Sequence, residues 1–221
     1  MATPIKFGTD GWRAIIAADF TVENVARVTE ATGVWLKAHF DRPTVVIGHD
    51  CRFGGELFME TAAKVLLAQG LQVKIARGFV STPMISLAAH QLGCEIGIIL
   101  TASHNPPNYN GFKLKAKFGG PLEPEKVNEV EALIPDTCSF NYQEISLDIA
   151  MQSGQLQEVD IESRYINHVK SNFDLEAIRN SGLNLMYDAM YGAGQRSLPM
   201  VLPEVELLHC DHNPSFRGTA P

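Results

Sequence analysis

Ile96-Gly97-Ile98-Ile99-Leu100-Thr101-Ala102-Ser103-His104-Asn105-Pro106 is the stretch on which the reading of this chain turns. Its first five residues are apolar and mostly branched, and the run is too short for a helix. It predicts a buried strand over 96–100. The polar residues that follow sit at the carboxyl end of that strand, where open α/β sheets bind their ligands. Ser103 thus places a hydroxyl where chemistry is done, with His104 beside it and Lys113 downstream. A serine can hold phosphate as a stable ester and pass it in line to another hydroxyl. Such a phosphate carries a charge of about −1.5 to −2 and needs cationic or N–H partners. A serine hydrolase is disfavoured, because the Gly-x-Ser-x-Gly elbow is missing.

Upstream of the serine, helix and strand patterns alternate. Thr21 is placed to cap a helix containing Val25, Val28, Trp35 and Leu36. Residues 44–47 read as a strand, 54–69 as a helix stopped by Gly70, 71–76 as a strand, and 83–92 as a helix with Pro83 in its first turn. This alternation implies an α/β fold with a mixed, mostly parallel sheet flanked by helices. Beyond the serine, 111–116 predicts a strand and 123–133 a helix ended by Pro135. Residues 136–154 show no clean period and are read as an edge strand and a linker. A second α/β pattern follows: helix 161–173, strand 183–187, helix 191–201 and strand 205–208. The expected division is one domain over 1–155 and the start of a second, similar one over 156–221. Gly192-Ala193-Gly194 lacks the rest of a dinucleotide fingerprint and reads as a strand-to-helix turn.

The formal net charge of −7 argues against nucleic acid or an anionic membrane as partner. It leaves an anionic small substrate open, since a local group of Arg and Lys can be positive on an acidic protein. The four cysteines form neither a Cys-x-x-Cys pair nor a zinc-like spacing. His39, His90 and His168 lack metal-ligand spacing as well. Residues 1–10 hold no apolar signal core, and no apolar run is long enough to span a bilayer. The expected location is cytoplasmic, with reduced thiols.

Four segments, in order and spacing, resemble the α-D-phosphohexomutases, the phosphoglucomutase and phosphomannomutase family. They are Lys6-Phe7-Gly8-Thr9-Asp10-Gly11-Trp12-Arg13, Gly48-His49-Asp50-Cys51-Arg52, Thr82-Pro83, and the serine segment with its continuation Pro107-Asn108-Tyr109-Asn110-Gly111-Phe112-Lys113. The resemblance implies transfer of phosphate between O1 and O6 of a hexose through a phosphoserine and a hexose bisphosphate. Its partners would be a hexose phosphate and a hexose bisphosphate, and its cofactor Mg²⁺, with a phosphate on Ser103 as one ligand.

Within that resemblance Ser103 is the phosphoryl carrier, Lys113 an acid–base group and Arg13 a phosphate-site cation. Asn105 and Asn110 are expected to bind substrate. His104 is given a secondary role at the site, on the expectation that adjacent side chains of an extended segment point to opposite faces. Arg52 is expected to brace the loop or to serve structure alone. Lys115 and Lys117 read as solvated or phosphate-steering charges. The family's Asp-Gly-Asp-x-Asp-Arg metal loop has no counterpart among these residues. The chain is therefore expected to be an N-terminal half, inactive alone. A non-catalytic phosphosugar-binding or interaction module stays open as the alternative.

Overall fold

The computed structural model describes residues 3–8 and 11–219. Thr9 and Asp10, part of the first resembling segment, lie outside the described residues, as do Ala220 and Pro221 at the chain end. The elements run β1 (Trp12–Ile15), α1 (Val22–His39), β2 (Thr44–His49), α2 (Gly55–Ala68), β3 (Gln72–Ala76), α3 (Thr82–Gln91), β4 (Ile96–Leu100), β5 (Tyr109–Ala116), α4 (Pro124–Ala132), α5 (Leu147–Gln152) and β6 (Leu156–Val159). Then come α6 (Ile161–Asn172), α7 (Leu175–Arg179), β7 (Met186–Asp188), α8 (Ser197–Val201) and β8 (Glu206–Leu208).

Six strands form one sheet in the order β1-β5-β4-β2-β3-β6. The pairs β4–β2, β2–β3 and β3–β6 are parallel, while β5 pairs antiparallel with both β4 and β1. Alternate residues of the central strands feed two cores, as the period of two requires. Val45, Ile47, Ile96 and Ile98 face α1 and α2, joining Val28, Trp35, Phe58 and Leu66. Val46 and Ile99 face the other way, against Met84, Ile85, Ala88 and Ala89 of α3 and Ile161 of α6. The result is three layers with the sheet buried on both faces.

The local signals upstream of the serine act as expected. Thr21 Oγ1 accepts the Asn24 N–H and so satisfies one open donor of α1. Gly70 ends α2 at φ 82°, a backbone region open to glycine.

Several expectations are corrected. β1 was not foreseen; its four residues give too short a pattern to read. Residues 136–154 contain no strand. Ser146 caps α5 by accepting the Ile149 N–H, after a 3₁₀ turn at Tyr142–Glu144. The edge strand is β6, whose Val73↔Leu156 register places it in the large sheet. The boundary expected after residue 155 thus falls just before a strand of the first unit.

The helix expected over 191–201 shrinks to α8, because Met190 and Tyr191 adopt φ of 49° and 58° and interrupt it. α7 was not foreseen either, although Asp174 caps it through the Ala177 N–H. Here β7 and β8 form a two-stranded parallel sheet. Its small core holds Ile166, Val201, Leu202 and Val205.

Candidate active site

Strand β4 delivers Thr101, Ala102 and Ser103 to the carboxyl edge of the sheet, and the antiparallel return of β5 makes residues 101–108 the loop of a wide hairpin. Leu100 pairs with Phe112, and the Thr101 N–H donates to the Gly111 carbonyl, so the base of the loop is fixed. Gly111 is required there. A Cβ on it would run into the Thr101 and Trp12 carbonyl oxygens. Ser103 has φ 56°, a left-handed conformation uncommon for residues other than glycine. Its N–H donates to Thr101 Oγ1 at 3.2 Å, and its side chain is exposed.

The left-handed turn overturns the opposite-faces expectation for His104. The segment is not extended here, and Ser103 Oγ lies 3.3 Å from His104 Nδ1. Imidazole and hydroxyl are therefore adjacent, and the pair can exchange a proton.

Asp50 and Arg52 follow β2, the neighbour of β4, and reach the same edge. Arg52 is buried. Its Nη1 donates to the carbonyls of Pro106 (2.8 Å) and Tyr109 (3.1 Å), and its Nη2 to those of Ser103 (2.8 Å) and Asn105 (2.7 Å). Its Nε lies 3.3 Å from Asp50 Oδ2 but is off the hydrogen-bond line, so that contact is an ion pair rather than a hydrogen bond. Asp50 also accepts from the Thr101 hydroxyl and from the Arg52 N–H. Burial pushes the Asp50 carboxyl up from its ordinary range, opposed by those hydrogen bonds and by the Arg52 charge.

Arg13, on β1, donates through Nη1 to Asn105 Oδ1 at 3.1 Å. The two expected site residues are thus brought together at the serine loop. Asn110 is not. It is fully buried, and its Oδ1 accepts the Gly111 N–H at 2.8 Å, bracing the start of β5. Lys113 is buried on β5 opposite Ile99 and does not line the cleft described next. Lys115, expected to be solvated, is buried beside Gly97 and Ile85. Only Lys117 is exposed, paired with Glu95 at 3.0 Å.

Ser103 and His104 open onto a cleft of about 380 Å³. One side is the serine loop with Asp50 and Arg52. Ser81, Thr82 and Pro83 contribute at the start of α3, and the opposite wall is Ala189–Gly194 with Phe216. The two walls are tied together. The Cys51 thiol donates to the Tyr191 carbonyl at 3.1 Å, and burial pushes that thiol up to about 12. The Arg52 guanidinium lies 5.1 Å from the centre of the Phe216 ring. Arg196 stacks over Phe79 at 3.8 Å, donates to its carbonyl and pairs with Glu162. Sequence reasoning missed this second wall and undervalued Asp50. The available signal was that Asp50 and residues 188–194 also follow strands, and so share the carboxyl edge.

Two family models match this chain. Domain I of phosphoglucomutase/phosphomannomutase, an alpha/beta/alpha domain, matches residues 4–139, and domain II matches residues 163–221. The chain belongs to that family.

A Thermococcus kodakarensis phosphoglucomutase/phosphomannomutase is 36% identical over 202 residues, which cover 90% of this chain and 42% of that protein. A Sulfurisphaera tokodaii phosphoglucosamine/phosphogalactosamine mutase is 33% identical, with 88% and 41% covered. A provisionally named phosphomannomutase from Thermus thermophilus superimposes with a TM-score of 0.89 at 34% identity, over 100% of this chain and 49% of that one. The chain spans less than half the length of the curated relatives it matches.

The family is generally Mg²⁺-dependent. Among the described residues, no group of three or more His, Cys, Asp or Glu side chains is placed to hold a metal ion. Asp50 is already engaged by Thr101 and Arg52. The described residues therefore do not build a Mg²⁺ site by themselves. No helix among them is long and apolar enough to cross a membrane.

Proposed function

We propose that this chain carries the phosphoryl-carrier half of a cytoplasmic phosphohexomutase, with Ser103 as the residue that holds the phosphate. The observation that carries the reading is the exposed Ser103 hydroxyl, held in a left-handed turn 3.3 Å from His104 Nδ1 and opening onto the inter-loop cleft. In the forward step the bond between Ser103 Oγ and phosphorus breaks as one forms to the O1 or O6 hydroxyl of a hexose phosphate. His104 gives a proton to the departing Oγ, and the proton lost by the sugar is assigned to Lys113 on the family resemblance alone, since Lys113 is buried and does not line the cleft. The hexose bisphosphate then turns over and returns its other phosphate to Ser103 by the reverse step. Among the described residues Arg13 makes one side-chain hydrogen bond, to Asn105, and a guanidinium's forked N–H groups suit phosphate oxygens. Asn105 is held by Arg13 at the same rim. A phosphate on Ser103 would also offer an oxygen to Mg²⁺.

The sugar is glucose or mannose phosphate in the reading from sequence. The relatives' names extend the choice to 2-amino sugars. We read the second unit as starting near α6, not at residue 156.

The test is incubation with glucose 1,6-bisphosphate or its mannose and glucosamine counterparts, followed by peptide mass spectrometry. Phosphate on Ser103, absent from Ser103→Ala, is the expected result. Phosphate on another residue, with Ser103→Ala unimpaired, removes the carrier role. In a mutase assay of the full-length enzyme, Lys113→Met lowers kcat with little change in KM, and Lys117→Met is neutral. Equal small effects remove Lys113. Residues 1–221 alone are expected to take phosphate yet not complete the cycle, since the moving group lacks its full charge neutralisation. Sustained turnover, abolished by Ser103→Ala, would contradict this.

A further inference from the structure

We propose that Arg52 is a positioning residue for Ser103, holding the carrier loop in its left-handed turn without touching the phosphate itself. The inference rests on the carrier reading of Ser103 for its catalytic consequence, though not for its geometry.

A guanidinium has five N–H donors. In Arg52 the four terminal ones are directed at four backbone carbonyls of one loop, those of Ser103, Asn105, Pro106 and Tyr109. The fifth, on Nε, faces the carboxylate of Asp50. That fifth donor is buried beside Asp50, and none of the four terminal donors is left to bind a phosphate. Arg13 is the contrast: among the described residues its guanidinium makes one hydrogen bond, to the Asn105 side chain, and none to a loop carbonyl. The two arginines at this rim therefore divide the work, one for the ligand and one for the loop.

The loop needs such a device. Among the described residues, its bonds between the base and Tyr109 are few: Asn105 N–H to Ala102, Tyr109 N–H to Pro106, Ile16 N–H to Asn108, and Ser103 N–H to the Thr101 hydroxyl. Pro106 and Pro107 offer no N–H. Without Arg52 the Ser103 and Asn105 carbonyls would lose the one donor the described residues give them, and the carbonyls of Pro106 and Tyr109 would each lose a donor. Asp50 completes the arrangement by taking the Thr101 hydroxyl on one side and the Arg52 charge on the other. Phe216, from the far wall, lies against the guanidinium and shields it. Lysine cannot substitute, because one ammonium cannot reach four carbonyls in a fixed fan.

The experiment compares the wild-type chain with Arg52→Lys and Asp50→Asn, using Lys117→Met as a surface control. Two readouts are taken: amide exchange by NMR, and the rate of phosphate transfer to Ser103 from glucose 1,6-bisphosphate. In Arg52→Lys, protection of the Asn105 and Tyr109 amides is expected to fall at least about tenfold, while that of Val46 and Ile98 is kept. Transfer at saturating donor is expected to fall on the order of a hundredfold, with the half-saturating concentration nearly unchanged. Asp50→Asn, nearly the same size, gives the same pattern more weakly and serves if Arg52→Lys does not fold. Retained loop protection and retained rate in both variants would overturn the proposal. A donor affinity that falls with the rate would make Arg52 a ligand instead and overturn it too. If wild-type Ser103 takes no phosphate, the carrier reading fails, and the amide arm still judges the positioning claim.

Discussion

The residues before and after β6 obey the same α/β grammar and reach different densities of packing. In the first region Val45, Ile47, Ile96, Ile98, Ile99 and Leu100 are all fully shielded from solvent, and helices cover both faces of the sheet. In the second, the two-stranded sheet and the segment leading into it offer Leu183, Leu185, Met186, Leu207 and Leu208 to solvent, and four residues make up the buried core. Isolated two-stranded sheets are marginal in water. The cleft lies between these regions, so one wall rests on a rigid body and the other on a weakly supported one. Ligand-binding elements are commonly drawn from the less stable end of a structure.

The widest gap is expected in amide exchange of the isolated chain. The β2 and β4 amides are expected to exchange only through global unfolding. The β7 and β8 amides are expected to exchange at least about a thousandfold faster, corresponding to roughly 4 kcal/mol less protection. Equal protection in a monomer would erase the comparison. Core truncation is expected to follow the same order. Ile98→Ala should cost about 3–5 kcal/mol in denaturant unfolding, and Leu202→Ala about 2 kcal/mol or less, since its surroundings are free to collapse. A larger loss at Leu202 would mean that the second region is the better packed.

The first region is also the one that was legible from sequence. Thr21, Gly70 and Pro83 sit at helix ends for local reasons, and the branched runs at 44–47 and 96–100 were readable as strands because both faces of the sheet are covered. What stayed hidden depended on partners distant in sequence. β6 is a strand because β3 lies beside it, and β1 because β5 does. The break before α8 arises at Met190 and Tyr191, residue types that do not announce a left-handed backbone.

At the site, Ser103, Arg13 and Asn105 were readable as neighbours, while the left-handed turn that brings the His104 ring to Ser103 was not. Lys115 was misplaced and the full burial of Asn110 was not foreseen, because a polar side chain in a strand says nothing of which face it points to. Arg52 was underrated, since its four carbonyl partners lie more than fifty residues away.

A smaller effect sharpens the comparison at the seam. Burial pushes the Cys51 thiol up to about 12, and its sulfur is covered by Tyr191 and Gln195. At pH 8 iodoacetamide is expected to modify Cys210, the partly exposed cysteine of the second region, well before Cys51. Cys51 labelling should accelerate by about threefold or more in Arg196→Ala, which removes the clamp on Phe79. An unchanged rate would mean that Cys51 is reached without the regions parting.

The smallest effect lies at acid pH. The Met190 N–H and His209 hold the Asp188 carboxyl below its ordinary value, while burial pushes that of Asp50 up. A depressed carboxyl adds stability above its unfolded pKa, about 3.9, and loses it as pH falls toward the folded value. A raised one acts in the opposite sense and in a different window, weakening the fold as pH rises from about 3.9 toward its higher folded value. Asp188→Asn should therefore reduce the acid-induced loss of β7–β8 protection, and Asp50→Asn should leave it in place. The reverse assignment would count against the electrostatics given for both regions.

The fan of carbonyls around Arg52 has a consequence for the length of the loop it gathers. Each of the four oxygens meets a fixed N–H of a rigid planar group, and the stems on either side are pinned in register at Leu100↔Phe112. One added residue between Ser103 and Tyr109 would turn at least one oxygen away, and one deletion would draw an oxygen out of reach. Variation is therefore confined to side chains that point away from the guanidinium, such as those of Pro107 and Asn108 at the outer rim. In a library of variants this hairpin is expected to tolerate substitutions at those two positions while rejecting insertions and deletions anywhere between its stems.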